Sequence, residues 1–328
     1  MGATFTAEEI LCATSSHLKS GFVDDVRGRL TWDIEDVKPG DWFIGVPSHL
    51  DDPHDNLNLA LDKGARGVIV NRRSRFASAS KNATIISVPD TRTAILELVR
   101  YWRYRVQPKV VGVSGSCGRR VTIALLSQLL EGTKKTHVAF MNNLGWFACM
   151  KDVLDMPEDT QVLIFEAGGI ERGDVSRIGG CLDPDLAVLT RIQHPLPSPE
   201  RDAFITSLYC ELLETLSNNS QAELNAVIYD DNPAVQKRLE GMLSSIVAKR
   251  RSMSDLGIAQ RLSDQAVGQL SAAMESIFSQ SVTRAEIWCA VEAAMALGVT
   301  AQALEDIFEI NDQPEGMQLN LEEVKQTA

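Results

Sequence analysis

The sequence predicts an α/β protein: a small N-terminal α/β domain, then a P-loop-like central domain with a mostly parallel sheet. Three observations predict it. Short apolar runs such as KVVGVS, QVLIFE and DLAVL recur between helix-length segments, as strands buried on both faces of a parallel sheet do. Gln107-Pro108 breaks the pattern and separates two such series. A Gly-rich turn, GSCGRR, joins a strand directly to a helical segment. The 328 residues suffice for two domains, read as 1–107 and 108–311, with 312–328 a polar, loosely held tail.

The elements follow in order. KPGDWFIGV (Lys38 to Val46) is a Pro-Gly turn and then a strand. Asp55 to Gly64 has helical spacing through Leu57, Ala60 and Leu61, with Gly64 as its stop. Arg66 to Val70 and Ala83 to Val88 are short buried strands. Thr91 to Arg105 is a helix ending in RYWRYR. Interleaved aromatics and arginines are able to stack on nucleic acid. An amphipathic helix with arginine stems lying along it explains the run with less. After Pro108, strands fall at Lys109 to Ser114, His137 to Phe140, Gln161 to Glu166, Asp185 to Leu189 and Asn225 to Tyr229, with a helix at Val121 to Glu131. Helices fill the other gaps, and Asp264 to Ile310 reads as helical.

Composition narrows the function. Lys and Arg number 32 against 44 Asp and Glu, a net charge of −12 that argues against general nucleic-acid binding. No apolar run reaches the roughly 20 residues of a membrane helix, so no membrane insertion is expected. The N-terminus has acids where a secretory leader has Lys or Arg. The six cysteines form no C-x-x-C pair. These features fit a reduced, cytoplasmic protein.

The stretch VVGVSGSCGRRVTIALL carries the most chemistry. A strand, a Gly-rich turn and a helix start place backbone N–H groups toward phosphate, which makes Ser114, Gly115, Ser116, Gly118, Arg119 and Arg120 candidates for nucleotide phosphate. A working P-loop ends in G-K-[ST], where Lys meets the phosphates and the hydroxyl holds Mg²⁺. Arg119 keeps the charge without the compact ammonium, and Arg120 supplies no hydroxyl. Cys117, at a helix start beside two arginines, is a candidate reactive thiol.

In colinear order, VKPGDWFIGVPSHLDDPHD, ALDKGARGVIVNR, VVGVSGSCGRR, MNNLGWF, QVLIFEAGGIERGDVSRIGGCLDPDLAVLTRIQH, VIYDDNPAV and AVEAAMALGV resemble segments of the Mur ligases, the ATP-dependent amide ligases of peptidoglycan synthesis. The resemblance is to the type that adds D-alanyl-D-alanine to a UDP-linked tripeptide. It implies a uridine-nucleotide-binding N-terminal domain and an ATP-binding central domain. It implies that Asn142 and Asn143 lie in a substrate loop, that Glu166 and His194 are residual metal ligands, and that Asp231 and Asn232 lie at a nucleotide turn.

The chain departs from that pattern. Asp33-Ile34-Glu35 stands where the family has D-[ST]-R for the uridine diphosphate. Tyr209, in Leu208-Tyr209-Cys210-Glu211, stands where a carbamoylated lysine would help bind metal. Val282, Thr283 and Glu286 stand at an adenine-contacting helix start. INDQPEGMQ resembles the junction to a third domain, which is expected to be absent. The reading is a catalytically inactive relative that binds, scaffolds or regulates, with a protein partner and no required cofactor. Two alternatives are an ATP- and Mg-dependent ligase completed by a partner subunit, and a reactive-thiol protein using Cys117.

Overall fold

The computed structural model describes residues 2–46, 53–74, 76, 83–142, 145–193, 198–216, 226–229, 232–240 and 282–308, with 264, 267–268, 271–272 and 274–275. It divides into two compact units, residues 1–107 with 150–158 and residues 108–149 with 159–328.

The first unit opens with α1 (Ala7–Ala13), an element the hydrophobic pattern alone does not announce. A reciprocal cap starts it: Glu9 N donates to Thr6 Oγ1 at 3.1 Å and Thr6 N donates to Glu9 Oε2 at 2.9 Å. The sheet holds β1 (His17–Ser20), β2 (Leu30–Thr31), β3 (Trp42–Ile44), β4 (Gly67–Asn71) and β5 (Thr84–Val88), ordered β1-β5-β4-β3-β2. β1 runs antiparallel to β5 and the other pairs are parallel. β3 and β5 are buried along their whole length, which is why they read as continuous apolar runs rather than alternating ones. On one face Phe43, Val68, Val70 and Ile85 pack with Leu57 and Ala60 of α2 (Pro53–Asp62). Gly67 lies against the Trp42 ring, where a Cβ would collide.

α3 (Thr91–Val106) is capped by Asp90, which accepts from Thr93 N at 2.8 Å, and closes on Gln107 in the left-handed region at φ 56°. The RYWRYR run is absorbed by packing. Trp102 is buried and its Nε1 donates to Met156 O at 3.2 Å, and Arg103 is buried beside it in sequence.

The second unit is built on β6 (Lys109–Ser114), β7 (Thr136–Ala139), β8 (Val162–Ala167), β9 (Leu186–Leu189) and β10 (Ala226–Ile228). All pairs are parallel, in the order β10-β9-β6-β8-β7. The helices that follow in chain order are α4 (Arg119–Leu130), α5 (Trp146–Asp155), whose residues 150–155 belong to the first unit, α6 (Asp174–Leu182), α7 (Pro199–Glu214), α8 (Pro233–Glu240), α9 (Arg284–Ala296) and α10 (Ala301–Ile307). One core joins Val121, Leu125 and Leu129 of α4 to Ile287, Trp288 and Val291 of α9 and to Val111 and Ile164 of the sheet. Each such side chain contributes about 1.5–3 kcal/mol by leaving water.

Several boundaries shift from the sequence expectation, two of them at glycines. α4 starts at Arg119 rather than Val121, because Gly118 at φ 79° turns the chain straight into the helix. The helical stretch near the C-terminus is broken at Gly298, φ +93°, into α9 and α10. The polar tail lies outside the described residues. Among the described residues no helix is long and apolar enough to cross a membrane.

Candidate functional site

Register places the site. Ser114, the last residue of β6, lies opposite Ala167 of β8 and Leu189 of β9. Three parallel strands therefore end together, at the carboxyl edge where α/β sheets bind ligands. The loop Gly115–Gly118 leaves this edge and feeds α4. Gly115 (φ +131°) and Gly118 (φ +79°) take conformations that side chains resist. Gly118 is the N-cap and brings no side-chain hydrogen bond to the first turn of α4. The orphan N–H groups of that turn thus lack the usual cap.

The rest of the loop is tied down from within. Ser114 is fully buried and its hydroxyl donates to Tyr209 O at 3.0 Å. The Ser116 and Cys117 amides both donate to Arg191 O, at 3.0 and 3.1 Å. Ser116 Oγ donates to Gln193 O and accepts from Gln193 N, each at 2.7 Å. The Thr190 hydroxyl lies 2.7 Å from Cys117 O and 3.1 Å from Ser114 O. Cys117 is partly buried, with its Sγ 3.7 Å from Ser116 Oγ.

At the start of α4, Arg119 and Arg120 turn to one acid. Glu166, on β8, keeps 3% of its side chain exposed. Its Oε1 accepts from Arg119 Nε at 3.2 Å, and its Oε2 from Arg120 Nε at 3.3 Å and Met141 N at 3.0 Å. Arg119 also donates to Gly115 O, and Arg120 to Met141 O. The Arg119 guanidinium lies over the Tyr209 ring, 5.3 Å from its centre. Positions 119 and 209, far apart in the chain, thus contact one another: the loop arginine rests on the tyrosine ring.

A second ion pair closes the other side. Glu286 is fully buried at the start of α9, and its Oε1 accepts from Arg191 Nε at 2.9 Å. Its Oε2 accepts from Thr283 N at 2.8 Å in a capping box. Its carboxylate lies so close to Gly118 that a Cβ there would collide with it. Glu211, two residues after Tyr209, accepts from Gly173 N at 2.9 Å and Ser176 N at 3.1 Å and so caps α6. Burial pushes the Cys210 thiol up to about 12, so it stays a neutral core group.

Asn232 caps α8, accepting from Ala234 N at 2.8 Å while its Nδ2 donates to Ile192 O at 2.9 Å. Asn142 is exposed and forms a bridge with Gly145. Asn143, His194 and Asp231 lie outside the described residues. In the first unit, Asp33 caps the short turn Ile34–Asp36 by accepting from Glu35 N at 3.0 Å, and Glu35 is exposed, 3.4 Å from Lys63 Nζ.

The structure thus brings Ser114 to Arg120 and Glu166 together at one sheet edge. Sequence reasoning missed the parts played by Thr190 and Arg191, and it singled out Tyr209 without its contact to Arg119. Thr190 and Arg191 follow directly on β9, and strand-end polar residues in a parallel sheet were the available signal.

No family model matches the sequence. The chain is 29% identical over 199 residues to the UDP-N-acetylmuramoyl-tripeptide–D-alanyl-D-alanine ligase of Rickettsia prowazekii, covering 58% of this chain and 42% of that one. The chain thus spans less than half the length of this curated relative. MurF from Acinetobacter baumannii superposes with a TM-score of 0.74 at 17% identity, over 96% of this chain and 70% of that one. MurF ligase from Thermotoga maritima, solved in complex with ADP, superposes at 0.56 and 22% identity, over 69% of this chain and 49% of that one.

In sequence and in fold the chain is similar to the Mur ligases, and among them it is MurF-like over part of a MurF chain.

The expectation that no cofactor is required is corrected by these relatives. They are ligases of an ATP- and Mg-dependent family, and the Thermotoga structure holds ADP. The loop fits the two groups differently. The uncapped start of α4 and the two arginines suit phosphate oxygens. Glu166 does not suit a divalent cation in the arrangement described, because both its oxygens accept from guanidinium groups. Among the described residues no three His, Cys, Asp or Glu side chains converge as a metal site.

Proposed function

We propose that this chain is a MurF-like protein that does not itself perform the family's ligation, and that it serves in the cytoplasm as a binding, scaffolding or regulatory component linked to cell-wall synthesis. One observation carries the reading: the buried acid Glu166 is held on both oxygens by Arg119 and Arg120. Phosphoryl transfer relies on positioned cations that spread over the moving phosphoryl group as charge develops. Here the loop's cations are turned to an internal carboxylate, and Tyr209 offers no oxygen ligand comparable to a carbamate. Binding without turnover is the use such a loop retains, and a protein partner would receive its output.

The test is phosphate release from MgATP in the presence of UDP-N-acetylmuramoyl-tripeptide and D-alanyl-D-alanine, with an active MurF as control. We expect no release above background from this chain while the control turns over. Substrate-dependent release by this chain alone would end the reading. Release only after a partner is added would favour the alternative, a ligase completed by another subunit. The uncapped start of α4 is the observation on that alternative's side.

A further inference from the structure

We propose that Arg119, Arg120 and Glu166 form an anion-exchangeable latch: Glu166 holds the two guanidinium groups until a phosphate-type anion takes its place. The inference deepens the reading of the loop given above and rests on it.

The argument begins with charge. Among the described residues two guanidinium groups face one carboxylate, so the cluster there carries one positive charge more than negative. The neighbouring pair Arg191–Glu286 is balanced and cannot absorb it. The start of α4 adds about half a positive charge at the same place. This cationic spot sits in a chain of net charge −12, so it is local and specific.

Access comes next. Glu166 keeps 3% of its side chain exposed, but Arg119 keeps 20% and Arg120 36%. The acid is inside and the cations reach outward. An incoming anion therefore meets the guanidinium groups without first exposing Glu166. Each Nε contact to Glu166 is long for a charge-assisted bond, at 3.2 and 3.3 Å. A phosphate group offers several oxygens to the same forks, with the α4 N–H groups beside them. Arg119 has the Tyr209 ring beneath it, a rest that holds the guanidinium near the loop whichever anion it faces. The latch would also leave Glu166 free of its cations once an anion is bound.

The test is isothermal titration of the full chain with inorganic tripolyphosphate in EDTA at low salt, so that the protein supplies the only polyvalent cationic site. ADP follows as competitor, to tell a polyphosphate from a nucleotide requirement. We expect saturable binding by the wild type, binding about tenfold tighter by Glu166→Gln, and loss of binding in Arg119→Ala/Arg120→Ala. Glu166→Gln binding no tighter than wild type, or unchanged binding by the double variant, would overturn the latch. Should Glu166→Gln fail to fold, arginine Nε–H resonances of the wild type provide the second readout. Both must shift at saturation, and unmoved signals reject the proposal. ADP binding with tripolyphosphate rejected would also overturn it, since the base rather than the phosphate would then carry recognition. The outcome is separate from ligase activity: MgATP turnover would remove the proposed function while leaving this titration to stand or fall alone.

Discussion

At Glu286 a carboxylate is withdrawn wholly from water and met by Arg191, whose side chain keeps 21% of its exposure. Breaking one side of such a pair strands a charge in a poor solvent, which costs more than the pair itself contributes. Arg191→Ala should therefore lower the unfolding free energy by about 3 kcal/mol, read from the urea midpoint at constant slope. A loss below about 1 kcal/mol would mean that water reaches Glu286 easily. Thr122 shows the opposite case. Its hydroxyl is buried in α4 with no hydrogen-bond partner among the described residues. Thr122→Val removes an unsatisfied group at nearly constant shape, so stability should rise by about 1 kcal/mol. A fall in melting temperature would count against that reading. Gly118 joins these residues to the loop, since neither its φ of +79° nor the nearby Glu286 leaves room for a side chain.

At the scale of elements, α1 depends on its ends. Thr6→Ala removes one half of the capping box and should cost about 1 kcal/mol by urea unfolding. Glu9, the other half, also carries a pH signal. Burial raises its pKa, but the hydrogen bonds from Arg27 and the Thr6 amide and the charges of Arg27 and Arg105 outweigh it, so the value falls below the ordinary 4.5. A lowered folded value means the unfolded chain takes up the proton first as pH falls. Glu9 therefore stabilises fully above its ordinary value and less as pH drops through the folded value. The stability gap between wild type and Glu9→Gln should be flat from about pH 7 to 5.5 and shrink below about pH 4.5. A gap that widens on acidification would refute the assignment. α4 and α9 depend instead on burial, with Trp288, Ile287, Val121 and Leu125 in one core.

At the scale of the whole molecule, the acidic balance sets what the surface attracts. A net charge of −12 disfavours the phosphate contacts that dominate nucleic-acid binding. Fluorescence anisotropy should show no retention of a 20-nucleotide single strand at about 0.15 M salt. Salt-sensitive binding there would reopen the RYWRYR run, of which Tyr104 is exposed. Much of the fold was legible along the chain, because buried parallel strands write themselves as apolar runs: Lys109 to Ser114, Gln161 to Glu166 and Asp185 to Leu189 all form strands near those bounds. α1, β1 and β2 were not, being short and held by caps and pairing rather than by a long periodic face. The loop was legible too, since glycines and arginines at a strand–helix junction have local physical meaning. By itself, then, the sequence determined the alternation of strands and helices, the Gly-rich turn, and the charge that Arg119 and Arg120 bring to it. Only the tertiary structure decided where that charge goes. Glu166 lies 47 positions from Arg119, and their meeting depends on β8 pairing with β6 in one register. Tyr209 reaches the same guanidinium from α7. Local propensity carries no information about which strand ends will share an edge, because crossovers and register are settled by packing over the whole unit.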